Sequence, residues 1–199
     1  DRNHSITTLY GKSEFLYKEK SLNKGATWFA VLLIALGCPY GRKTTQKYNV
    51  PQWIMKAPIW QKRLFLASFF GAELSSPRTH TKTGFDCPII SLNKNSILLD
   101  NAREFCIQIM NLLEEFSIKT HKLLERKDYK NRFGSTHRLK LQISSEEENL
   151  LKLWSKIGFS YNKKRETLSQ IAILYIKEKK LLTKIRKETA TKVKELRKK

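Results

Sequence analysis

The residues most able to do chemistry are a carboxylate and three basic side chains that follow it. Glu73 ends the largely apolar stretch 64–73, and Arg78, His80 and Lys82 alternate along the polar segment after it. Carboxylate oxygens bind divalent cations, and arginine and lysine bind phosphates. In a chain of net charge +21, this arrangement suggests a site that cleaves nucleic acid.

The charge balance indicates the kind of partner. The 199 residues include 39 Lys and Arg against 18 Asp and Glu. A positive excess of this size indicates what kind of partner the protein binds, and it does not indicate the fold. Nucleic acid is the first candidate, and an anionic membrane surface is the second. In the charged surfaces of thermophilic proteins, the number of Glu residues rises together with the number of Lys residues. In this chain it does not.

Composition argues against several other classes of site. The three cysteines lack metal-ligand spacing and the four histidines are scattered, so we expect neither a zinc site nor a small-molecule cofactor. Sparse cysteines are typical of an intracellular chain, and we expect a cytoplasmic protein. The longest apolar run, residues 28–36, is too short to span a bilayer. With 40% hydrophobic residues, the chain can bury a core.

The element that must position Glu73 is a helix predicted over residues 58–73. Pro58 suits its first turn. Small residues at Ala67, Ser68, Gly71 and Ala72 would let a second backbone approach closely. We therefore expect Glu73 at the bottom of a seam between two halves.

The remaining elements follow from hydrophobic periodicity and turn residues. The pattern predicts one or two short strands within 1–24, a buried helix over 25–36, a hairpin of 75–83 with 87–92, a helix over 100–116, a hairpin of 119–126 with 136–143, a helix over 144–158, and helix from 160 to 199 with a break near Glu188. The predicted fold class is α+β, a four-stranded antiparallel sheet with helices on one face.

The last predicted strand shows a clear alternation. Leu139, Leu141 and Ile143 are predicted to face the core, and the residues between them are predicted to face outward. Those outward residues are Arg138, Lys140 and Gln142.

Residues 66–74, Leu-Ala-Ser-Phe-Phe-Gly-Ala-Glu-Leu, resemble the LAGLIDADG motif of homing endonucleases. The phrases at 36–43, 49–54, 90–94 and 112–118 resemble the endonuclease domains of archaeal inteins. The resemblance implies an αββαββα repeat over residues 58–159. It also implies that residues 1–57 are the end of a first repeat and 160–199 a basic helical extension.

The resemblance implies a site-specific DNA endonuclease that makes double-strand breaks with Mg²⁺. Glu73 would bind the metal, and Lys140 would polarise the attacking water or the phosphate. Arg78, His80 and Lys82 would read the major groove, and Lys94 and Arg132 would contact phosphates. The implied DNA-binding set also includes Arg138, Gln142, Lys163, Lys164 and Arg165. The alternative is a LAGLIDADG-derived protein that binds DNA or RNA without cutting.

This sequence departs from the family pattern at three positions. Glu73 stands where Asp is usual, Leu74 where Gly is usual, and Gly71 where another Asp is common. Only one motif helix is found, so the second acid would come from an upstream fragment or from a second copy of the chain. Without either, the site would be inactive. Splicing residues are also missing, so the chain is not expected to splice by itself.

Overall fold

A computed structural model describes residues 2–8, 11–17, 27–80, 84–131 and 134–197. Lys82 and Arg132, both predicted to bind DNA, lie outside these residues. The chain divides into two compact units, Asp1–Ala35 and Leu36–Lys199, which are described separately.

The first unit contains a hairpin and a helix. Strands β1 (Arg2–Thr8) and β2 (Gly11–Tyr17) pair antiparallel, with Arg2 opposite Tyr17. Helix α1 (Thr27–Ala35) is apolar but has no buried residue; Trp28, for example, is 68% exposed. The prediction of a buried helix is therefore wrong, because apolar composition does not determine what covers a helix.

The second unit alternates helices with one sheet. Its elements are α2 (Gln52–Met55), α3 (Ile59–Glu73), β3 (Ile89–Asn95), a 3₁₀ turn (Ser96–Leu98), α4 (Leu99–Glu115), β4 (Leu124–Asn131), β5 (Gly134–Gln142), α5 (Glu147–Lys152) with a π-helical turn (Leu153–Ile157), and α6 (Lys163–Leu196). No helix in the described ranges is both long and apolar enough to cross a bilayer.

The sheet has three antiparallel strands in the described ranges, in the order β3-β5-β4. A fourth strand was predicted at 75–83. There the described residues form only isolated bridges, Leu74 with Ile90 and Thr79 with Phe85. Pro77 lies in this segment and has no N–H for a ladder hydrogen bond. Residues 75–80 therefore form a loop against the sheet rather than a strand of it.

The core lies between the inner face of the sheet and helices α3 and α4. Leu139, Leu141 and Ile143 are at most 1% exposed, so the predicted alternation along β5 is confirmed. Leu66 and Phe70 of α3 and Leu112 of α4 are fully buried in the same core.

Helix α6 is continuous over 34 residues, so the break predicted near Glu188 is wrong. The tail contains no Pro or Gly to interrupt it. The Glu188 carboxylate lies 3.9 Å from the Lys184 ammonium one turn earlier, and such i, i+4 pairs support a helix.

The small residues of α3 accommodate a segment of this same chain. The Ser160 N–H donates to the Ala67 carbonyl (2.8 Å), and the Ser160 carbonyl lies where a Cβ on Gly71 would be. Ala67 and Gly71 are buried, whereas Ser68 is half-buried and Ala72 exposed. Two of the four small residues therefore serve this internal contact rather than a seam with a second helix.

Candidate nucleic-acid interface

Two of the predicted basic residues meet around one carboxylate. The Arg78 Nε donates to the Asp86 Oδ2 (2.6 Å), and His80 Nδ1 lies 3.1 Å from Asp86 Oδ1. The hydrogen bond from Arg78 is the main cause that lowers the pKa of Asp86. Asp86 was not predicted as a site residue, although an acid close to two basic residues across a turn is a usable signal. Asp86 therefore links the exposed Arg78 and His80 side chains.

A cleft of about 740 Å³ collects basic and polar side chains from distant parts of the chain. Arg78 and His80 line it from the loop, Gln142 from the end of β5, and Lys164 from the first turn of α6. Ser75, Ser76 and Ser145 add hydroxyl groups. The structure therefore brings together four of the residues predicted to bind DNA. Cations and hydroxyls around one cleft are suited to a phosphate.

The open face of the sheet continues this basic surface. Arg138, Lys140 and Gln142 lie on it, half-buried, and Arg126 of β4 is paired opposite Arg138. Asp128 accepts a hydrogen bond from the Arg138 Nη2 (2.9 Å) and lies 3.9 Å from Arg126. Lys140 forms no ion pair with any residue in the described ranges.

No hydrogen bond or ion pair joins Glu73 to Lys140 in the described ranges, and Glu73 is instead paired with a residue that sequence reasoning missed. The Lys43 ammonium lies 3.1 Å from its Oε1, and both side chains are partly exposed. Lys43 belongs to the basic loop at 38–48. The positive charge of that loop is the sequence feature that could have pointed to Lys43 as a partner of Glu73.

The described residues around Glu73 do not by themselves complete the predicted magnesium site. No group of three His, Cys, Asp or Glu able to hold a metal occurs in the described ranges. The neighbouring cavity of about 400 Å³ is lined mainly by apolar side chains, among them Phe65, Phe69 and Phe105. Mg²⁺ requires several oxygen ligands and retains water, and one ion-paired carboxylate does not supply them.

Lys94 is not placed to contact a phosphate, contrary to prediction. Its side chain is fully buried, and its ammonium lies 3.6 Å from the centroid of the Tyr48 ring. Burial lowers the pKa of Lys94 to about 8 and is the main cause that raises the pKa of Tyr48 to about 12. Strand parity could have shown this, since Lys94 alternates in phase with the buried Ile90.

Arg165 has a structural role that was not predicted, and its DNA contact stays a prediction. Its Nη1 donates to the carbonyls of Phe70 (3.1 Å) and Gly71 (2.7 Å), which lie in the last turn of helix α3. Asn162 caps α6 by accepting from the Arg165 N–H (3.2 Å), and it donates to the Gly71 carbonyl (2.8 Å). An Asn before a helical run is a recognisable cap signal that the sequence analysis missed.

The neighbouring lysines of α6 remain available. Lys163 and Lys164 are exposed, and Lys164 lines the cleft. The DNA-binding roles of Arg78, His80, Arg138, Gln142, Lys163 and Lys164 stay predictions.

Comparison with known proteins finds the same segment in archaeal proteins with different names. A "tRNA-splicing ligase RtcB" of Pyrococcus furiosus is 35% identical over 191 residues, which cover 94% of this chain and 19% of the relative. A "DNA-directed RNA polymerase subunit Rpo1N" of Methanocaldococcus jannaschii is 33% identical over 91% of this chain and 13% of the relative. A "Replication factor C small subunit" of the same organism is 30% identical over 78% of this chain and 8% of the relative.

These relatives overturn the identification of the chain as a LAGLIDADG homing endonuclease. The ligase name recurs in five of the seven relatives, and none of the seven is named as an endonuclease. The predicted double-strand DNA hydrolysis rests on that identification and is overturned with it. The same holds for the alternative of a LAGLIDADG-derived binding protein. The relatives include enzymes by name, but they are a ligase and a polymerase subunit rather than a DNA hydrolase.

The extent of the matches limits what the names say about this chain. The chain spans about a fifth of the length of the ligase relatives it matches. No family model matches the chain. No solved structure matches it either.

Proposed function

We propose that this chain is a nucleic-acid-binding module that acts as a segment of longer proteins. The observation that carries the proposal is the cleft in which Arg78, His80, Gln142 and Lys164 converge, in a chain of net charge +21. The proposed ligand group is the phosphodiester backbone, which duplex DNA and structured RNA share.

The recurrence of the segment supports a binding role. Proteins named for ligation, transcription and a replication factor each contain it over 8–19% of their length. Because these proteins have different activities, the function of the segment that they share is expected to be more general than any one of those activities. Attachment to nucleic acid is such a property, and the activities of the whole proteins remain outside this proposal.

The geometry suggests how a phosphate would be held. Asp86 orients Arg78 through a 2.6 Å hydrogen bond, so little side-chain entropy is lost when the guanidinium meets an oxyanion. Lys164 lies in the first turn of α6, where the helix dipole also favours an anion. Arg126 and Lys140 on the sheet face would contact neighbouring phosphates of the same strand.

Phosphate binding of this kind requires no metal step. A role for Mg²⁺ would require oxygen ligands beyond those that the described residues supply around Glu73. The binding experiment described next therefore includes titrations of the duplex in the presence of Mg²⁺ and in the presence of a chelator.

The test is the salt dependence of binding. Fluorescence anisotropy with a duplex of about 30 base pairs, from about 50 to about 200 mM salt, measures the slope of log affinity against log salt. Arg78→Gln and Lys164→Gln are each expected to weaken binding and reduce the slope by about 1. Lys56→Gln removes the same charge from an exposed residue outside the cleft and serves as the control. Equal effects of all three variants, or no binding at all, would overturn the proposal.

A second candidate function is favoured by the name that five relatives share, "tRNA-splicing ligase RtcB". In this alternative, the segment holds RNA for a ligase and belongs to that enzyme's substrate binding. It predicts that a tRNA transcript binds at least roughly tenfold more tightly than duplex DNA of equal charge. Equal affinity for the two would contradict the alternative and leave the general binding role standing.

A further inference from the structure

Helix α6 carries an exposed apolar stripe along its outer side. Successive members are separated by one, three, seven or eight residues, spacings that keep them on one helix face. They are between 42% and 71% exposed, and they are Ile171, Leu174, Leu181, Leu182, Ile185, Val193 and Leu196. We refer to these seven residues as the α6 stripe.

The other side of α6 attaches the helix to the rest of the unit. Ala172, Ile173 and Ile176 are buried there. Ion pairs of Lys179 with Glu147 and of Lys180 with Glu148 join it to α5. From residue 181 to 197 every residue is exposed. The stripe is therefore not the surface through which α6 packs in the second unit.

An unsupported helical segment of this kind is weakly stable in water. Most helical stability in proteins comes from packing of an apolar face. The extension beyond residue 180 has such a face, and residues 181–197 are all exposed. A partner that covers the stripe would supply that packing.

Charge indicates the chemistry of the partner. Helix α6 contains eleven Lys and Arg against four Glu. Near its end, Ile185 and Val193 border a shallow groove together with Arg186, Lys194 and Arg197. An apolar stripe beside a cationic border matches a helix with an apolar face flanked by carboxylates.

We propose that the α6 stripe docks an acidic amphipathic helix of a partner protein. A second copy of this chain fits less well, because two α6 helices would bring two strongly basic surfaces together. Duplex nucleic acid would neutralise the cations but leave the apolar side chains in water. This docking surface is independent of the cleft proposed to bind phosphate.

The test uses the full chain and a synthetic helical peptide of about 20 residues, with Leu at i, i+3, i+4 and i+7 and Glu on both flanks. Isothermal titration calorimetry measures its affinity, with a peptide carrying Lys on the flanks as the charge control. The double variant Leu182→Ser/Ile185→Ser is expected to weaken binding at least roughly tenfold. Ile107→Ser is the matched control, because Ile107 on α4 is 52% exposed and Ile185 is 47% exposed.

A charge-reversal variant and two further measurements distinguish the other occupants. Arg186→Glu is expected to weaken binding of the Glu peptide and strengthen binding of the Lys peptide. Circular dichroism checks that both variants retain their helix. Equal affinity for the two peptides, or no binding, would overturn the proposal. So would sedimentation that shows a dimer broken by Leu182→Ser/Ile185→Ser, or stripe-dependent binding to phosphatidylserine vesicles without binding to the Glu peptide.

Discussion

The Ser160 carbonyl occupies the position that a side chain on Gly71 would take. The same residue donates its N–H to the Ala67 carbonyl one turn earlier (2.8 Å). Two backbones therefore meet where α3 presents its smallest buried residues. This contact attaches the start of α6 to the end of α3, and it decides how Lys164 reaches the cleft.

Gly71→Ala is expected to lower the free energy of unfolding by about 3 kcal/mol or more, because the new methyl group overlaps backbone rather than a movable side chain. Urea denaturation measures the change. Ala72→Ser adds one heavy atom to the exposed neighbouring residue and should change stability by less than about 0.5 kcal/mol. Similar small effects of both substitutions would contradict the described contact.

Arg165→Gln is expected to destabilise the fold by about 1–3 kcal/mol, since it removes charge-assisted hydrogen bonds to the last carbonyls of α3. Lys163→Gln removes the same charge from an exposed neighbour and should be nearly neutral. Thermal unfolding of the two variants gives the comparison. If Arg165→Gln weakened nucleic-acid binding without any loss of stability, the capping role would be refuted.

Lys94→Met is expected to raise the free energy of unfolding at pH 7 by about 1–3 kcal/mol, because it removes a buried ammonium. The folded pKa of Lys94 is lowered from 10.5 to about 8. Between these two values the unfolded chain binds more protons, so stability rises with pH through this window. Below pH 8 the full cost of the charge is present.

The measurement for Lys94 is urea denaturation at several pH values from 7 to 10.5. The wild-type chain should gain stability relative to Lys94→Met as the pH rises through the window. A constant difference between the two across that range would show that the Lys94 pKa is not lowered.

Glu115→Gln is expected to cost about 1–3 kcal/mol, because it leaves the Lys62 ammonium with a weaker partner. Both Glu115 oxygens lie 2.8 Å from the Lys62 Nζ, and Lys62 is 8% exposed. The double variant Lys62→Met/Glu115→Gln should recover much of the loss. A double-mutant cycle measures the coupling, and purely additive effects would contradict the pairing.

Asp86→Asn is expected to strengthen binding of duplex nucleic acid at low salt, since it removes a negative charge between Arg78 and His80 while the amide oxygen can still accept the hydrogen bond that orients Arg78. Stability should change little because the pair is exposed on the Arg78 side. Salt-dependent anisotropy is the readout, with Asp100→Asn as the control for a carboxylate outside the cleft. Weaker binding than the wild-type chain would contradict the prediction and show that orienting Arg78 matters more than removing the Asp86 charge.

Local pattern was sufficient for much of the fold. The helices near 58–73 and 100–116 and the alternation of Leu139, Leu141 and Ile143 followed from periodicity, which depends on neighbouring residues alone. Of the strand predicted at 75–83, the described residues 75–80 form only the isolated bridge of Thr79 with Phe85, and Pro77 has no N–H for a ladder hydrogen bond.

The candidate site was less accessible to sequence reasoning. Arg78 and His80 were predicted to lie on one face and to bind DNA, which stays a prediction, and their common partner Asp86 was missed. Lys94 was assigned to DNA because of its charge, whereas its side chain is buried in the core, and the contact of Arg165 with the end of α3 was missed. A basic residue in a basic chain has many possible partners, and its type alone does not select one.

The sequence by itself determined the strong positive charge, the principal helices and the face that β5 presents to the core. These follow from side-chain chemistry and from periods of two or 3.6 residues. Only the tertiary structure decided that Ser160 meets Gly71, that Lys94 lies beneath Tyr48, and that Lys164 reaches the cleft of Arg78. Such contacts join residues far apart in the chain, and their geometry depends on how all the elements pack together.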